Sequence, residues 1–427
     1  MKTLLKLTTL LMLSILILSA CNPVKPVEAI KSDISRDTQP IIDNNDISAV
    51  ATGNNAFALD LLHQLQSQPG NVFYSPLSIS SALAMTYAGA RGVTETQMAQ
   101  VLHYALPQAS LHPVFNQLLL ALDSRATAEG VDPEKGFKLH IANALWGQKG
   151  FPFNAGFLDT LALNYGAGMY LTDFQADPEG ARKAINDWVN RETEERIKDI
   201  VPPGAIDTLT RLVLANAIYF MADWMSEFNK DATNDQDFHL ADGSTVSVPT
   251  MFQNTSFRYA VVEGLQALEL PYAGDQLSMV ILLPDEGKLA EVQTGLDTTQ
   301  LDALLNSLDY KDVNLWLPKI KYEYSLNLVE PLKAMGMVDA FDPNTADLSG
   351  MDSARDLYIS DILHKAFVAV DEAGTEAAAA TVVIVGTTSM PVEPTMDFRV
   401  DRPFLFLIRD NPTGAILFVG RVMNPAI

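Results

Sequence analysis

Apolar side chains recur every three or four positions through residues 55–68, which predicts an amphipathic helix stopped by Pro69 and Gly70. Pro76 opens a second helix that runs to about Gly89. Its segment Leu77-Ser78-Ile79-Ser80-Ser81-Ala82-Leu83-Ala84-Met85 is apolar nearly all round, as in a buried helix. Similar spacing predicts helices over 94–102, 111–128 and 179–198. Further along, the pattern changes. Residues 212–220, 267–271, 277–283, 313–317, 366–370 and 415–422 form short β-type runs. Most are apolar on both faces and so belong in the middle of sheets. Helices early and strands late predict an α+β class, folded as one large domain.

One segment fits neither pattern. Residues 372–386 begin with Glu372 and Gly374, pass through Ala377, Ala378, Ala379 and Ala380, and end in β-branched Val382-Val383-Ile384-Val385 before Gly386. The small residues weakly favour helix and the Val/Ile run favours strand. Loop, helix and strand are all sterically open to it, so it is a segment able to change state.

The N-terminus reads as an export signal. Lys2 and Lys6 precede the apolar run from Leu10 to Leu18, which is followed by Ser19-Ala20-Cys21. That run is too short to span a bilayer as a helix. Leu18-Ser19-Ala20-Cys21 resembles a bacterial lipobox. It implies a signal peptide over 1–20 and a lipid on Cys21, anchoring the chain to a bacterial membrane from outside the cytoplasm. Asn22 after the cysteine favours the outer membrane. The polar stretch to Asn54 carries Pro23, Pro26 and Pro40 and is expected to be a flexible tether.

The net charge of −23 becomes −25 once the two lysines of the signal are removed. This argues against nucleic acid as a partner. Cys21 is the sole cysteine, so stability rests on packing without an internal disulfide. The six histidines show no metal-ligand spacing, and Gly89 and Gly92 form a turn, not a phosphate loop. No cofactor is expected.

Seven motifs in order identify a family. They are Asn71-Val72-Phe73-Tyr74-Ser75-Pro76-Leu77; Leu214-Ala215-Asn216-Ala217-Ile218-Tyr219-Phe220 with Trp224; Leu270-Pro271-Tyr272; Leu282-Leu283-Pro284-Asp285; Leu317-Pro318-Lys319, read as a central strand; Asp401-Arg402-Pro403-Phe404; and Gly420-Arg421-Val422. From about Asn55 to Pro425 the chain resembles the serpins, inhibitors that trap serine proteases by conformational change. The resemblance implies three β-sheets, eight or nine helices and an exposed reactive loop over about 372–398. Such a protein is an inhibitor and not an enzyme, and is expected to be a monomer. Insertion of the loop into a sheet is the family's general mode of action.

The resemblance also assigns roles. Glu372, Gly374, Thr375, Glu376, Ala377, Ala378, Ala379, Ala380 and Thr381 match the hinge that enters the sheet first. No proline lies between 372 and 390 to interrupt a ladder. Loop length from Gly374 places the cleaved bond at Thr388-Ser389, with Met390 as competitor when counting from the C-terminal side. Thr388 suits the small specificity pocket of an elastase, and subtilisin- or chymotrypsin-like enzymes are further targets. No Arg or Lys lies between 372 and 398, which argues against a trypsin-like one. Ser75, Ser78, Asn216 and His364 match the shutter, where the sheet must part. Trp224, Lys319 and Glu372 match the breach at its top. A serine beside a histidine also invites a hydrolase reading, but there is no Gly-x-Ser-x-Gly elbow, and Ser75 before Pro76 suits a helix cap. A carrier or chaperone-like serpin without inhibitory activity is the alternative; it would more readily carry a charge or proline at Thr375 or the alanines.

Overall fold

The computed structural model describes residues 28–125, 137–375 and 394–426. Its strands pair into two sheets. The central sheet has seven strands in the order β1 (Glu28–Ile30), β4 (Met169–Thr172), β3 (Lys138–Gln148), β5 (Leu212–Asp223), β13 (Gly374–Thr375), β12 (Asp361–Val370) and β11 (Ile320–Asn327). The other has nine: β14 (Met396–Arg399), β10 (Asp309–Pro318), β7 (Thr245–Val262), β8 (Leu265–Pro271), β9 (Leu277–Pro284), β15 (Phe404–Asp410), β16 (Ile416–Val422) and β2 (Val72–Tyr74), with β6 (Asn234–His239) also on β7. The eighteen-residue β7 pairs with β6 through its first part, with β10 through its middle and with β8 through its last. Against the three sheets that the resemblance implies, the described strands outside the central sheet are thus continuous through β7.

Ten α-helical segments occur among the described residues: α1 (Asn44–Gln64), α2 (Pro76–Tyr87), α3 (Gly92–Val101), α4 (Gln108–Arg125), α5 (Ala155–Tyr165), α6 (Pro178–Glu192), α7 (Leu289–Gly295), α8 (Thr298–Ser307), α9 (Val329–Met335) and α10 (Ser349–Asp352). Every residue of α2 is buried. Ser75 caps it, its hydroxyl accepting from the Ser78 N–H at 3.1 Å, with Pro76 in the first turn. The helix packs beneath β3, β5 and β16, so its polar side chains point at the central sheet from within the main core.

Three expectations need correction. Residues 28–54 are not a free tether: Glu28–Ile30 pair with β4, and α1 begins at Asn44, capped by Asp43. Leu317 and Pro318 end β10 in the nine-stranded sheet, and the central sheet resumes only at Ile320. The helix expected over 179–198 stops at Glu192, because Glu194 and Glu195 turn into the left-handed region.

Candidate functional site

The upper half of the central sheet is built around two residues. Gly374 and Thr375 form β13, wedged between β5 and β12. Gly374 pairs with Asp223 and Thr375 with Ala222 on one side; Thr375 pairs with Val370 on the other. Both pairings are antiparallel. Below them β5 and β12 meet directly as parallel neighbours, from Val213 opposite Asp361 to Tyr219 opposite Phe367. The sheet is therefore closed through its lower part and already parted at one end.

Only glycine fits at 374 in this seat. A Cβ there would lie 2.1 Å from the Ala222 carbonyl oxygen and 2.7 Å from the Asp223 Cα. Thr375 is wholly buried, with its hydroxyl 2.8 Å from that of Tyr272. Tyr272 stacks on Trp224 with ring centroids 4.6 Å apart. The Trp224 indole N–H donates to the Asp371 carbonyl at 3.0 Å, and the Trp224 backbone N–H to Ala373 at 2.9 Å. Trp224 thus holds the turn that leads into β13.

Glu372 sits in that turn, 6% exposed. Lys319 donates to one carboxylate oxygen at 2.6 Å and Thr233 to the other at 2.8 Å. Burial alone would raise this carboxyl's pKa. Hydrogen bonds from Lys319 and Thr233 and the lysine's charge outweigh it, and the pKa falls below the ordinary value. Lys319 is more than a third exposed, so the pair is screened on one side and worth about 1 kcal/mol or less.

The second cluster crosses the sheet at one level. Asn143 on β3, Asn216 on β5 and His364 on β12 are successive register partners. The Ser75 N–H points at His364 Nε2, 3.3 Å away, so that nitrogen accepts and Nδ1 carries the proton. Nδ1 donates to the Asn216 carbonyl oxygen. The Asn216 amide donates to Ser78 Oγ at 2.6 Å and to Asn143 Oδ1. Asn143 donates in turn to Ser81 Oγ at 3.0 Å. Burial pushes the His364 imidazole down to about 3, consistent with the neutral form this chain of bonds requires.

The structure thus brings Ser78, Asn216 and His364 together, but Ser75 joins through its backbone while its side chain caps α2. Asn143 and Ser81 belong to the cluster and were not expected. An amide inside the apolar run Leu139–Trp146 was the available signal for Asn143. Lys319 and Glu372 pair directly, and Trp224 holds the residues on either side of Glu372, Asp371 and Ala373. Glu376, Ala377, Ala378, Ala379, Ala380, Thr381, Thr388, Ser389 and Met390 lie outside the described residues, as does Cys21. Among the described residues no group of three or more His, Cys, Asp or Glu side chains is placed to hold a metal.

The family model for serpin (serine protease inhibitor) matches residues 52–425. The chain belongs to the serpin family. A leukocyte elastase inhibitor of Equus caballus is 42% identical over 390 residues, covering 88% of this serpin and 99% of the relative. A serpin-like protein of Thermococcus kodakarensis is 42% identical over 380 residues, covering 88% and 86% respectively. The native-state structure of a thermophilic serpin, Tengpin, superposes with a TM-score of 0.80 at 30% identity, covering 93% of this serpin and all of that chain.

Proposed function

We propose that this serpin is a single-use inhibitor of serine proteases with a small-residue preference, such as elastases. The observation that carries this reading is the seat of β13: the hinge has entered the sheet by two residues, in the antiparallel sense a longer insertion needs. The next hinge residues, from Ala377 to Thr381, are small and free of proline.

The protease's serine attacks the carbonyl of Thr388. The Thr388–Ser389 peptide bond breaks, the new amine leaves with the C-terminal part of the loop, and Thr388 remains as an ester on the protease. The hinge then threads between β5 and β12. Drawing the ester across the molecule pulls the protease's oxyanion hole out of alignment, so hydrolysis of the ester stalls. Two relatives named leukocyte elastase inhibitor support an elastase-type target. The export signal and lipobox support a chain held on a bacterial membrane through a lipid on Cys21.

Incubation with pancreatic elastase and denaturing electrophoresis test the inhibitor reading. An SDS-stable adduct is expected, with a C-terminal peptide beginning at Ser389 by mass spectrometry. Cleavage without adduct would favour the carrier reading for that enzyme. Thr375→Arg forces a charge into a fully buried seat, and should turn the inhibitor into a substrate.

A further inference from the structure

The strand that begins the described chain fixes where the N-terminus leaves the body. β1 lies at the edge of the central sheet, antiparallel to β4. Four residues form one row across the sheet: Glu28, Leu171, Gly147 and Leu212. Leu212 is the first residue of β5, and Asp223, beside the hinge glycine, is the last. The row and the hinge are eleven residues apart along β5, about 36 Å at about 3.3 Å per residue. β1 runs from the level of Leu212 towards that of Leu214, so its first residue, Glu28, lies at the Leu212 end of the sheet.

The segment after β1 holds this exit in place. Lys31 donates to the Gly166 carbonyl at 2.6 Å and Ser32 to Asp159 at 2.5 Å. The Arg36 Nε donates to Asn116 at 2.7 Å, and Asn116 returns a bond to the Asp37 carbonyl at 2.6 Å. The Asp37 N–H donates to Leu163 at 2.9 Å. The point of departure is thus tied to β4, α4 and α5. Cys21 is seven residues before Glu28, a reach of at most about 25 Å.

We infer that the anchored serpin stands on the bilayer with the Leu212 end of its central sheet facing the lipid and the hinge end facing away. This rests on the reading of Cys21 as lipidated. The end of the sheet that holds Gly374 and Thr375 then faces outward. Because β13 is antiparallel to β5, further insertion runs from the hinge end towards the Leu212 end. Trapping therefore carries the captured protease from the solvent side to the membrane side of the molecule. The reach of about 25 Å leaves little room beneath the body, so the protease ends beside it, against the bilayer.

The test uses the full chain, processed and lipidated in a bacterial host, in phosphatidylethanolamine–phosphatidylglycerol vesicles with an acceptor dye on the headgroups. Leu209→Cys places a donor at the Leu212 end; Lys230→Cys places one near the hinge, on the segment that reaches Glu372 through Thr233. Energy transfer several-fold stronger from 209 than from 230 is expected. Equal or reversed transfer from protein that floats with vesicles overturns the orientation and leaves the anchor standing. Failure to float overturns the anchor, and the orientation with it. Cys21→Ser should abolish flotation while leaving adduct formation with elastase in solution unchanged, which separates anchoring from inhibition.

Discussion

Gly374 bears a tight steric constraint in β13. A methyl group at this position meets backbone on β5, which cannot swing aside as a side chain can. Gly374→Ala should expel β13 and loosen the turn that Trp224 holds. Amide exchange at Thr375 would rise by at least tenfold, and the share of encounters ending in cleavage instead of adduct would grow. Unchanged exchange would mean that the seat is not occupied in solution. His364 gives a pH test. Its folded pKa of about 3 lies below the ordinary 6.5, so the unfolded chain binds the extra proton between these values. Its contribution is complete above about pH 6.5 and declines as the pH falls towards 3, by about 1.4 kcal/mol per pH unit. Urea midpoints should fall over that window, and His364→Gln should flatten the fall. His112, also pushed down by burial, to about 4, adds a parallel slope that the variant leaves in place.

At the scale of elements, the N-terminal segment makes a prediction of its own. Deleting residues 28–43 removes β1 and the bonds to Gly166, Asp159, Asn116 and Leu163, and leaves β4 as a bare edge strand. A fall of several degrees in the unfolding temperature is expected, with a rise in self-association by sedimentation; an unchanged profile would show that the segment is merely laid on the surface. This segment was not legible as structure, because Pro40 and its polar residues carry no period of their own and its order comes from the edge it covers. The buried elements were legible. α2 and β5 are apolar nearly all round and buried along almost their whole length, and that pattern survives any tertiary arrangement. Ile320–Asn327 alternates with period two, a strand signal that a search for doubly apolar runs passes over. β7 was hidden by Pro249 and by the polar residues of Gln253–Ser256. The cluster around Asn216 was half legible. Family motifs point to Asn216 and His364, whereas Asn143 enters through the β3–β5 register, which no local pattern encodes.

For the whole molecule, the seam between β5 and β12 decides how stability should be measured. It is a parallel pairing lying between antiparallel neighbours. A strand inserted along it would replace one parallel ladder with two antiparallel ones, which are slightly more stable per residue. The native arrangement would then persist because the seam opens slowly, and its lifetime reports on that barrier, which an unfolding midpoint alone does not.

The short ladder already formed also acts as a ruler. Gly374 sits opposite Asp223 and Thr375 opposite Ala222 and Val370. An unbroken ladder counted on from these pairs brings Thr381 level with both Asn216 and His364. It brings Val385 level with Leu212, leaving Thr388 three residues past the end of the sheet. A threonine hydroxyl, which both donates and accepts, would arrive where the Asn216–His364 bond has to be given up. Thr381→Val keeps the shape and removes that exchange. Insertion timed by a fluorophore on the loop should slow, and an unaltered rate would mean that the ladder slips before it reaches that level.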